Sequence, residues 1–450
     1  MPKVTKIKRG LDIAIKGKAE KILVQADPSE MYAVKPIDFA GLTPKLTVKV
    51  DHEVKAGSPL FFDKYHPGVL FTSPVSGKVV SITRGERRRI LEVVVKADPE
   101  IAYESFRKGD PESMEREAVI ENLQKSGLWP FIRQRPYHVI ADSSDTPKAI
   151  FISGFDTAPL APDYDFVLKG ERDAFRTGIK ALSKLTDGYI HIGVDGKFPV
   201  SEVYTDLDRV HLHHFRGPHP AGNVGIQIHH IDPVNKGDIV WTINPQDVVI
   251  IGRLFEKGIF DASRIVALAG TEVKTPRYYK TMLGSSILSL VKDNLKEGNH
   301  RYISGNVLTG KKILNDGYIG YYDSLVSVIP EGDHYDFLGW ALPGLDKFSM
   351  SRTFLAWLTP NKEFTMHTNL NGGKRAFVMT GQYEKVLPMD IYPVHLLKAI
   401  LVEDIDKMEN LGIYEIAEED LALCEFVCTS KTEVQSIVRS GIELMIKELG

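Results

Sequence analysis

The sequence predicts a multidomain α/β protein, and three patterns along the chain support this fold class. Residues 42–97 hold short alternating strands separated by glycine and proline, which is typical of a small all-β module. From residue 137 to 258, strands alternate with amphipathic helices, as in parallel βαβ units. Residues 391–450 show helical periodicity alone. A chain of 450 residues has room for roughly two to four such domains.

Composition excludes several classes of function. The net charge is −3 and 26% of the residues are charged, so the basic excess that nucleic-acid binding requires is missing. The two cysteines are too few for a disulfide scaffold and fit a reducing compartment. The N-terminal stretch has no apolar core of a signal peptide, and apolar runs fall far short of the roughly 20 residues that cross a bilayer. We expect a cytoplasmic chain that reaches any membrane through another protein.

Residues 1–41 are rich in lysine and predict an extended N-terminal arm, which the all-β module follows. Within that module, the stretch SPVSGKV at 73–79 resembles the strand-turn-strand of biotinyl/lipoyl-type domains. Lys64 lies near the place where such domains carry a modified lysine. Only seven positions separate Gly57 from Lys64, which is too few for the strand that leads to the usual hairpin tip. We interpret this lipoyl/biotinyl-like β module as structural, with a carrier role for Lys64 as an alternative.

The α/β domain is expected at 98–261. It begins with helical sequence, and strands are predicted at 149–152, 189–194 and 209–215, with a helix over 171–185 between the first two.

The stretch from Phe215 to Asp247 closes this domain and predicts a strand, a long structured loop, a strand and a helix. Asn244 and Pro245 form an N-cap and a first helical position, and Gly258 supplies the C-terminal stop. A loop of more than about 20 residues inside a compact domain is usually functional or an interface.

Further strands and a helix over 285–295 predict a β-grasp module at 262–345. An aromatic-rich connector at 346–390 leads to a helical domain at 391–450. Helices are predicted there over 394–408 and 415–428, and a last one from Thr432.

The stretch GNVLTGK at 305–311 almost spells a phosphate-binding loop, but the next residue is Lys312, so the hydroxyl that binds Mg²⁺ is missing. We interpret it as a turn. No GxGxxG motif occurs in the sequence, so there is no signal for a dinucleotide site.

Six of the fourteen histidines fall between positions 211 and 230. His211 and His213 would share one face of a strand, a spacing that metal sites use. Because no cysteine, no HExxH pair and no carboxylate besides Asp232 accompanies them, we expect no metal site. The alternative of a metal site is left open, and the histidines are expected to be satisfied by the backbone.

Cys424 and Cys428 would lie on one face of a helix. A redox dithiol is more often CxxC at a helix start, so we expect two buried small residues. The many carboxylates between 404 and 420 predict a solvated face or a docking surface.

Several segments, in order and with intact spacing, resemble the A subunit of the Na⁺-translocating NADH:quinone reductase. They are RGLD (9–12), FTSPVSG (71–77), GPHPAGNVG (217–225), VWTINPQDV (240–248), ISG (303–305), GQYE (381–384) and EEDLALC (418–424). This family in turn is similar to the flavoprotein subunit of respiratory complex I and to the C subunit of the ferredoxin-coupled Rnf complex. The resemblance implies a Rossmann-like domain at 98–261, a β-grasp module of the SLBB-like type at 262–345 and the helical domain at 391–450.

The resemblance also implies a place in a respiratory complex. The chain would be a peripheral subunit on the cytoplasmic face of the bacterial inner membrane, in a six-subunit, Na⁺-transporting enzyme that passes electrons from NADH to ubiquinone. It would be associated with quinone reduction and would reach the membrane through the other five subunits. FMN, FAD, riboflavin and iron–sulfur clusters are expected on those partner subunits.

The departures from the relatives bear on mechanism. Where the complex I subunit has a glycine-rich loop for the flavin phosphate, this chain has SGLWPFIRQRP at 126–136. Bulky side chains there prevent the close backbone approach that a phosphate needs. The cysteine-rich cluster motif is reduced to two cysteines. The resemblance with these departures predicts that no flavin and no iron–sulfur cluster binds to this chain, and that no independent catalytic site exists on it.

Two other functions remain as alternatives: a redox subunit that binds flavin or a cluster itself, and the Lys64 carrier. An apolar quinone would need an aromatic-lined cleft. The candidates for quinone or partner contact are Phe215, His219, Asn223, Trp241 and Phe255.

Overall fold

The computed structural model describes residues 3–335, 337–339 and 342–449. The N-terminal part is all-β. Its strands are β1 (Val4–Lys6), β2 (Glu20–Gln25), β3 (Met31–Val34), β4 (Pro44–Leu46), β5 (Glu53–Val54), β6 (Pro59–Asp63), β7 (Leu70–Thr72), β8 (Gly77–Arg84) and β9 (Ile90–Ala97). Strands β3 to β9 form two small sheets, β3-β9-β8-β5 and β4-β6-β7, around a buried core that includes Val79, Val93 and Phe61.

The α/β domain is built on a central mixed sheet. Its elements are α1 (Arg116–Ser126), β10 (Arg133–Arg135), β11 (Val139–Ile140), β12 (Ala149–Ser153), α2 (Tyr164–Val167), α3 (Arg172–Ser183), β13 (Ile190–Asp195), β14 (Val210–Arg216), α4 (Val224–Ile231), β15 (Val240–Thr242) and α5 (Pro245–Lys257). The strand order is β1-β14-β13-β12-β15-β10-β11, and the first five strands in that order are parallel. The predicted parallel pairing is therefore confirmed for β12, β13, β14 and β15, and βαβ units are formed by β12-α3-β13 and β14-α4-β15.

Helices cover both faces of this sheet. On one face α3 and α5 approach each other closely at Gly178 and Gly252. A Cβ on Gly178 would lie 2.1 Å from the carbonyl oxygen of Val248, and a Cβ on Gly252 would lie 1.7 Å from that of Ala174, so only glycine fits at either position. On the other face α4 packs Ile228 against Phe151 in a small separate core. The predicted α5 is confirmed, since the Asn244 side chain accepts from the Gln246 N–H and Gly258 ends the helix with φ 69°.

The stretch from Phe215 to Asp247 differs from its prediction in one respect. Helix α4 occupies Val224–Ile231, in place of a long loop. Its sequence, VGIQIHHI, carries apolar side chains at helical spacing, but the adjacent glycines and prolines masked that signal. Asn223 stands at the N-cap position.

The third module is a sheet with the strand order β19-β18-β20-β16-β17-β2. Its elements are β16 (Ser263–Ala269), β17 (Arg277–Met282), α6 (Leu288–Val291), β18 (His300–Ser304), β19 (Lys311–Ile313) and β20 (Leu325–Pro330). The helix predicted over 285–295 is a single turn. The near-phosphate-loop motif is the turn between antiparallel strands β18 and β19, as predicted.

The C-terminal part is helical, with α7 (Tyr383–Val386), α8 (Pro393–Leu401), α9 (Ile405–Asn410), α10 (Ala422–Val427) and α11 (Val434–Leu449). The single helix predicted over 394–408 is two helices. The chain turns at Glu403, whose φ is 56°, and Asp404 then caps α9 by accepting from the Lys407 N–H at 3.1 Å. This is the helix-start signal that periodicity alone overlooked.

The first 41 residues belong to three sheets. Strand β1 pairs with β14 of the central sheet, β2 pairs with β17 of the third module, and β3 pairs with β9 of the N-terminal part. The segment described from sequence as an arm is therefore an integral part of the fold.

A search of the described residues finds no helix whose length and hydropathy would allow it to cross a membrane.

Candidate functional site

The central sheet has a switch point between β12 and β15. From β12 the chain runs through α3 to β13 on one side, and it later returns through α4 to place β15 on the other side. Ligands of open α/β sheets bind beyond the carboxyl ends of the strands at such a point. A cleft of about 140 Å³ lies there.

Three parts of the chain line this cleft. The α/β domain supplies most of the lining, at the ends of β12 and β15 and in the loop before α4; the third module adds two residues and the helical domain one. The polar lining residues are Arg133, Ser153, Asp156, Tyr164, His219, Asn223, Thr242, Asn244, Asn306, Thr309 and Glu419.

Several polar side chains at the cleft already have hydrogen-bond partners within the chain. Ser153 Oγ donates to the carbonyl oxygen of Gly222 at 2.8 Å, and His219 Nδ1 lies 3.1 Å from Thr157 Oγ1. Asn223 Nδ2 donates to the carbonyl oxygen of Glu419 at 3.1 Å. These groups hold the loops in place, so few of their donors and acceptors are available to a ligand.

Two helix N-termini near the cleft, which are the usual positions for a phosphate, carry the chain's own groups. At α5, Asn244 accepts from the Gln246 N–H at 3.0 Å and donates to the Tyr164 hydroxyl at 2.8 Å. In the first turn of α4, a Cβ on Gly225 would lie 2.4 Å from Asp420 Oδ1. A carboxylate of the helical domain therefore lies close to the first turn of α4.

The helical domain is attached at this place by buried ion pairs. Arg135 is 1% exposed; its Nη1 donates to Asp420 Oδ2 at 2.8 Å and its Nη2 to Glu419 Oε1 at 2.9 Å. Asp420 Oδ2 also accepts from the Ala417 N–H at 2.9 Å. Glu418 adds contacts to His138 and Arg439.

Burial shifts the protonation of two lining groups. It raises the pKa of Asp156 to about 6, although the Ala158 and Thr157 N–H groups lower it in part. It lowers the pKa of His219 to about 4. At neutral pH the cleft therefore holds a neutral imidazole and a carboxylate that is costly to ionise.

The five contact candidates separate into two groups. His219 and Asn223 line the cleft. Phe215, Trp241 and Phe255 are at most 1% exposed and lie in the core, where Trp241 packs edge-on against Trp129 with ring centroids 5.5 Å apart. Aromatic content alone did not indicate which side of each element faces the core.

The segment at 126–136 is packed into the protein. Trp129, Phe131 and Ile132 are almost fully buried, and the Tyr322 hydroxyl donates to the carbonyl oxygen of Pro130 at 2.7 Å. The cleft of about 140 Å³ is well below the roughly 300 Å³ at which small-molecule sites begin. These residues do not fit a flavin in the position that the complex I resemblance suggests.

The two cysteines are reduced and buried, as predicted. Cys424 Sγ lies 3.9 Å from the carbonyl oxygen of Tyr383, and Cys428 Sγ accepts from the Thr432 N–H at 3.3 Å. Burial raises the pKa of the Cys424 thiol, which disfavours the thiolate that a metal needs. Since they are the chain's only cysteines, they supply half the ligands of a four-cysteine cluster.

The histidines have side-chain partners in addition to the backbone partners that were predicted; the Asp390 N–H, for example, donates to His229 Nε2 at 3.1 Å. His229 Nδ1 lies 2.7 Å from Glu415 Oε2, whereas His230 Nδ1 lies 2.8 Å from a backbone oxygen, that of Ile226. His211 and His213 share one face of β14 with His191 of β13, and their ligand nitrogens lie within 4.8 Å of one another. His191 is not among the residues predicted from sequence, because it is distant along the chain from His211 and has no metal motif around it.

A second surface lies in residues 335–379, which we name the apolar connector. This range begins within the predicted β-grasp module and overlaps the connector predicted at 346–390. It holds eleven of the 24 exposed large apolar side chains among the described residues. They include Tyr335 (103%), Phe337 (88%) and Trp357 (48%). The segment is fixed to the body at Phe364, which exchanges backbone hydrogen bonds with Ala14 and Lys16. Such a concentration of exposed apolar side chains marks an interaction surface.

Family comparisons cover most of the chain. The NqrA N-terminal barrel-sandwich hybrid domain matches residues 5–98, the NqrA second alpha/beta domain matches 114–260, and the NQRA C-terminal domain of the SLBB type matches 265–315.

Curated relatives match nearly the full length. The chain is 41% identical over 437 residues to the A subunit of Na(+)-translocating NADH-quinone reductase from Yersinia pestis bv. Antiqua, covering 96% of this chain and 97% of the relative. The same subunit of Photorhabdus laumondii is 40% identical, with coverage of 98% and 99%. That of Rhodopirellula baltica is 40% identical, with coverage of 99% and 98%.

Among solved structures, a chain of the NAD+-reducing [NiFe]-hydrogenase in the air-oxidized state aligns over 77% of this chain and 67% of its own length, with a TM-score of 0.35 and 12% identity.

Proposed function

Because the chain belongs to the family formed by the A subunit of Na⁺-translocating NADH-quinone reductase, we propose that it is a peripheral docking subunit of that complex and carries no prosthetic group of its own. As a member of this family it is a subunit of an oxidoreductase that joins NADH oxidation, quinone reduction and sodium transport.

The observation that carries the docking proposal is the apolar connector. Side chains such as Phe337 and Trp357 are held in water, although burying a large apolar side chain is worth about 1.5–3 kcal/mol. The occupant that we propose is an apolar surface of a membrane subunit of the same complex. The family is defined as one subunit of an assembly, and a partner surface of this kind would bury these side chains.

The cleft supports the absence of a prosthetic group. Its volume is small, Asp420 lies close to the first turn of α4, and polar side chains at its edge already have hydrogen-bond partners within the chain. The two cysteines supply too few ligands for a four-cysteine cluster. Flavins and iron–sulfur clusters would then belong to the other five subunits, and this chain would lie on the cytoplasmic face.

Docking is tested by pull-down from solubilised membranes of cells that express the whole complex. The variant Phe337→Asp/Trp357→Asp should recover at least tenfold less of the partner subunits than wild type, since each tenfold loss requires only about 1.4 kcal/mol. The matched control is Tyr65→Asp/Leu314→Asp, at two side chains that are 66% and 71% exposed outside the connector. Equal recovery of partners by both double variants would contradict the proposal.

The prosthetic-group statement is tested by the visible spectrum of the purified full-length chain. We expect no flavin or cluster absorbance. Stoichiometric absorbance of either kind would instead establish the alternative, a subunit with its own redox centre.

Because the cleft is too small to enclose a quinone, the contact that we propose is at its rim, where the two lining candidates are His219 and Asn223. Asn223 is the more accessible, since it is half-buried and His219 is 3% exposed. Asn223→Ala in the assembled complex should raise the KM for quinone and leave the KM for NADH unchanged. An unchanged KM for both substrates would remove the cleft from consideration.

A further inference from the structure

A group of three histidines lies on the open part of the central sheet, away from the cleft. His191 on β13 is directly opposite His211 on the parallel strand β14, and His213 is opposite Gly193. All three side chains therefore project from the same face of the sheet. His211 is exposed and the other two are half-buried.

The distances between the rings are close to those of a metal site. His191 Nδ1 lies 2.9 Å from His213 Nε2, and one ligand nitrogen from each of the three residues lies within 4.8 Å of the others. Three imidazoles bound to Zn²⁺ at about 2.0–2.1 Å in a tetrahedron have nitrogens about 3.3 Å apart. The observed upper limit of 4.8 Å lies about 1.5 Å above that spacing.

The surroundings orient two of the rings. Phe151 stacks on His191 with ring centroids 4.8 Å apart, and Tyr189 stacks on His211 at 4.2 Å. Gly193, which is directly opposite His213, leaves a gap without a side chain on this face of the sheet. A Cβ there would also lie 2.0 Å from Gln227 Oε1 of α4, so this gap is fixed by the packing of α4 on the sheet.

We propose that His191, His211 and His213 bind one divalent first-row transition ion, such as Zn²⁺, with a fourth coordination position open to solvent beside His211. Imidazole nitrogen is a ligand that Zn²⁺, Cu²⁺ and Ni²⁺ accept, and three histidines suffice for Zn²⁺. The nearby carboxylate of Asp232 is paired with Lys148 at 3.0 Å, so we do not count it as a ligand. The ion would join two adjacent strands of the central sheet.

The sequence alone predicted no metal site at these histidines. That expectation considered His211 and His213 alone, and His191 completes the set of three only through strand pairing. The inference does not depend on the proposed docking role.

The probe for the test is Co²⁺ added to the chelator-treated, untagged full-length chain. We expect one equivalent to produce the strong visible absorption of tetrahedral cobalt and one equivalent of Zn²⁺ to abolish it. His211→Ala should weaken binding at least tenfold; because this side chain is exposed, the variant should fold, which circular dichroism checks.

The matched control is His214→Ala. His214 is on the same strand, in backbone register with Val4 of β1, and its side chain projects from the opposite face of the sheet. This variant should bind Co²⁺ as wild type does. Two results would overturn the proposal: absence of a saturable tetrahedral spectrum in the wild type, or a spectrum that His211→Ala leaves unchanged. If His230→Ala abolished the cobalt spectrum and His211→Ala retained it, the metal would be bound by the histidines of α4. That result would also overturn the proposal.

Discussion

The cleft at the switch point and the apolar connector differ in how their side chains are satisfied. In the cleft, polar groups from distant parts of the chain hydrogen-bond to each other, and the buried ion pair between Arg135 and Asp420 attaches the helical domain beside it. In the connector, Phe337 and Trp357 are exposed to water. The position in the fold that usually takes a ligand is thus internally satisfied, whereas the connector is not.

This difference indicates what each region can do. A polar group that already has its partner gains little from a ligand, because binding must first break the existing hydrogen bond. An exposed apolar side chain gains free energy from any partner that removes it from water. The first region therefore stabilises the chain, and the second is suited to assembly.

The largest effect is expected from breaking the ion pair at the cleft. Arg135→Met leaves the Asp420 carboxylate buried without its partner and should lower the free energy of unfolding by about 3–5 kcal/mol. Urea denaturation of the full chain measures this. The double variant Arg135→Met/Asp420→Leu should recover much of the loss. A single variant within 1 kcal/mol of wild type would mean that the pair contributes no more than an exposed one.

A smaller effect of opposite sign is expected from Asp156. Its pKa of about 6 in the folded state lies above the unfolded value, so the folded chain holds its proton longer and ionisation of this group lowers stability as the pH rises from about 4 to 6. Asp156→Asn should therefore be more stable than wild type above pH 6, by up to about 3 kcal/mol, and equal to it near pH 3.

Asp163→Asn is the control for that experiment. Burial would raise the pKa of Asp163, but the ion pair with Lys21 and the hydrogen bond from the Phe166 N–H lower it overall. This variant should lose stability above pH 4 and match wild type at lower pH. If both variants changed the free energy of unfolding in the same direction above pH 6, the attribution of the raised Asp156 pKa to burial would be wrong.

Next in size is the contact between α4 and the helical domain. A Cβ on Gly225 would lie 2.4 Å from Asp420 Oδ1, so Gly225→Ala should cost about 1–3 kcal/mol through overpacking. Gly373→Ala is the matched control, because no atom lies within 4 Å of its added Cβ. Thermal unfolding of both variants tests this contact. Equal unfolding midpoints for Gly225→Ala and Gly373→Ala would contradict the prediction.

The smallest effect is expected in the connector. Phe337 is 88% exposed, so Phe337→Ser should change the free energy of unfolding of the isolated chain by less than about 0.5 kcal/mol. A loss of 2 kcal/mol or more in urea denaturation would show that this side chain packs within the chain and would remove it from the proposed docking surface.

Local signals predicted many of the elements. Asn244, Pro245 and Gly258 predicted both ends of α5, since capping depends on a few neighbouring residues. Alternation of strands and amphipathic helices predicted the parallel sheet, because each period reflects which face is buried. The same rules predicted one long helix over 394–408, whereas Asp404 caps a second helix, α9. They also missed α4, which lies among glycines and prolines.

The arrangement of the sites depends on contacts between residues far apart in sequence. Arg135 and Asp420 are separated by 285 positions, and no periodicity relates them. His191 meets His211 only because β13 and β14 pair in one register, and three of the five contact candidates are in the core because packing set the orientation of their side chains. Hydrophobic periodicity and helix capping depend on a few neighbouring residues, so the sequence alone predicts the elements that they form. Ion pairs, clefts and shared sheet faces arise only when whole elements pack together, so the tertiary structure decides them.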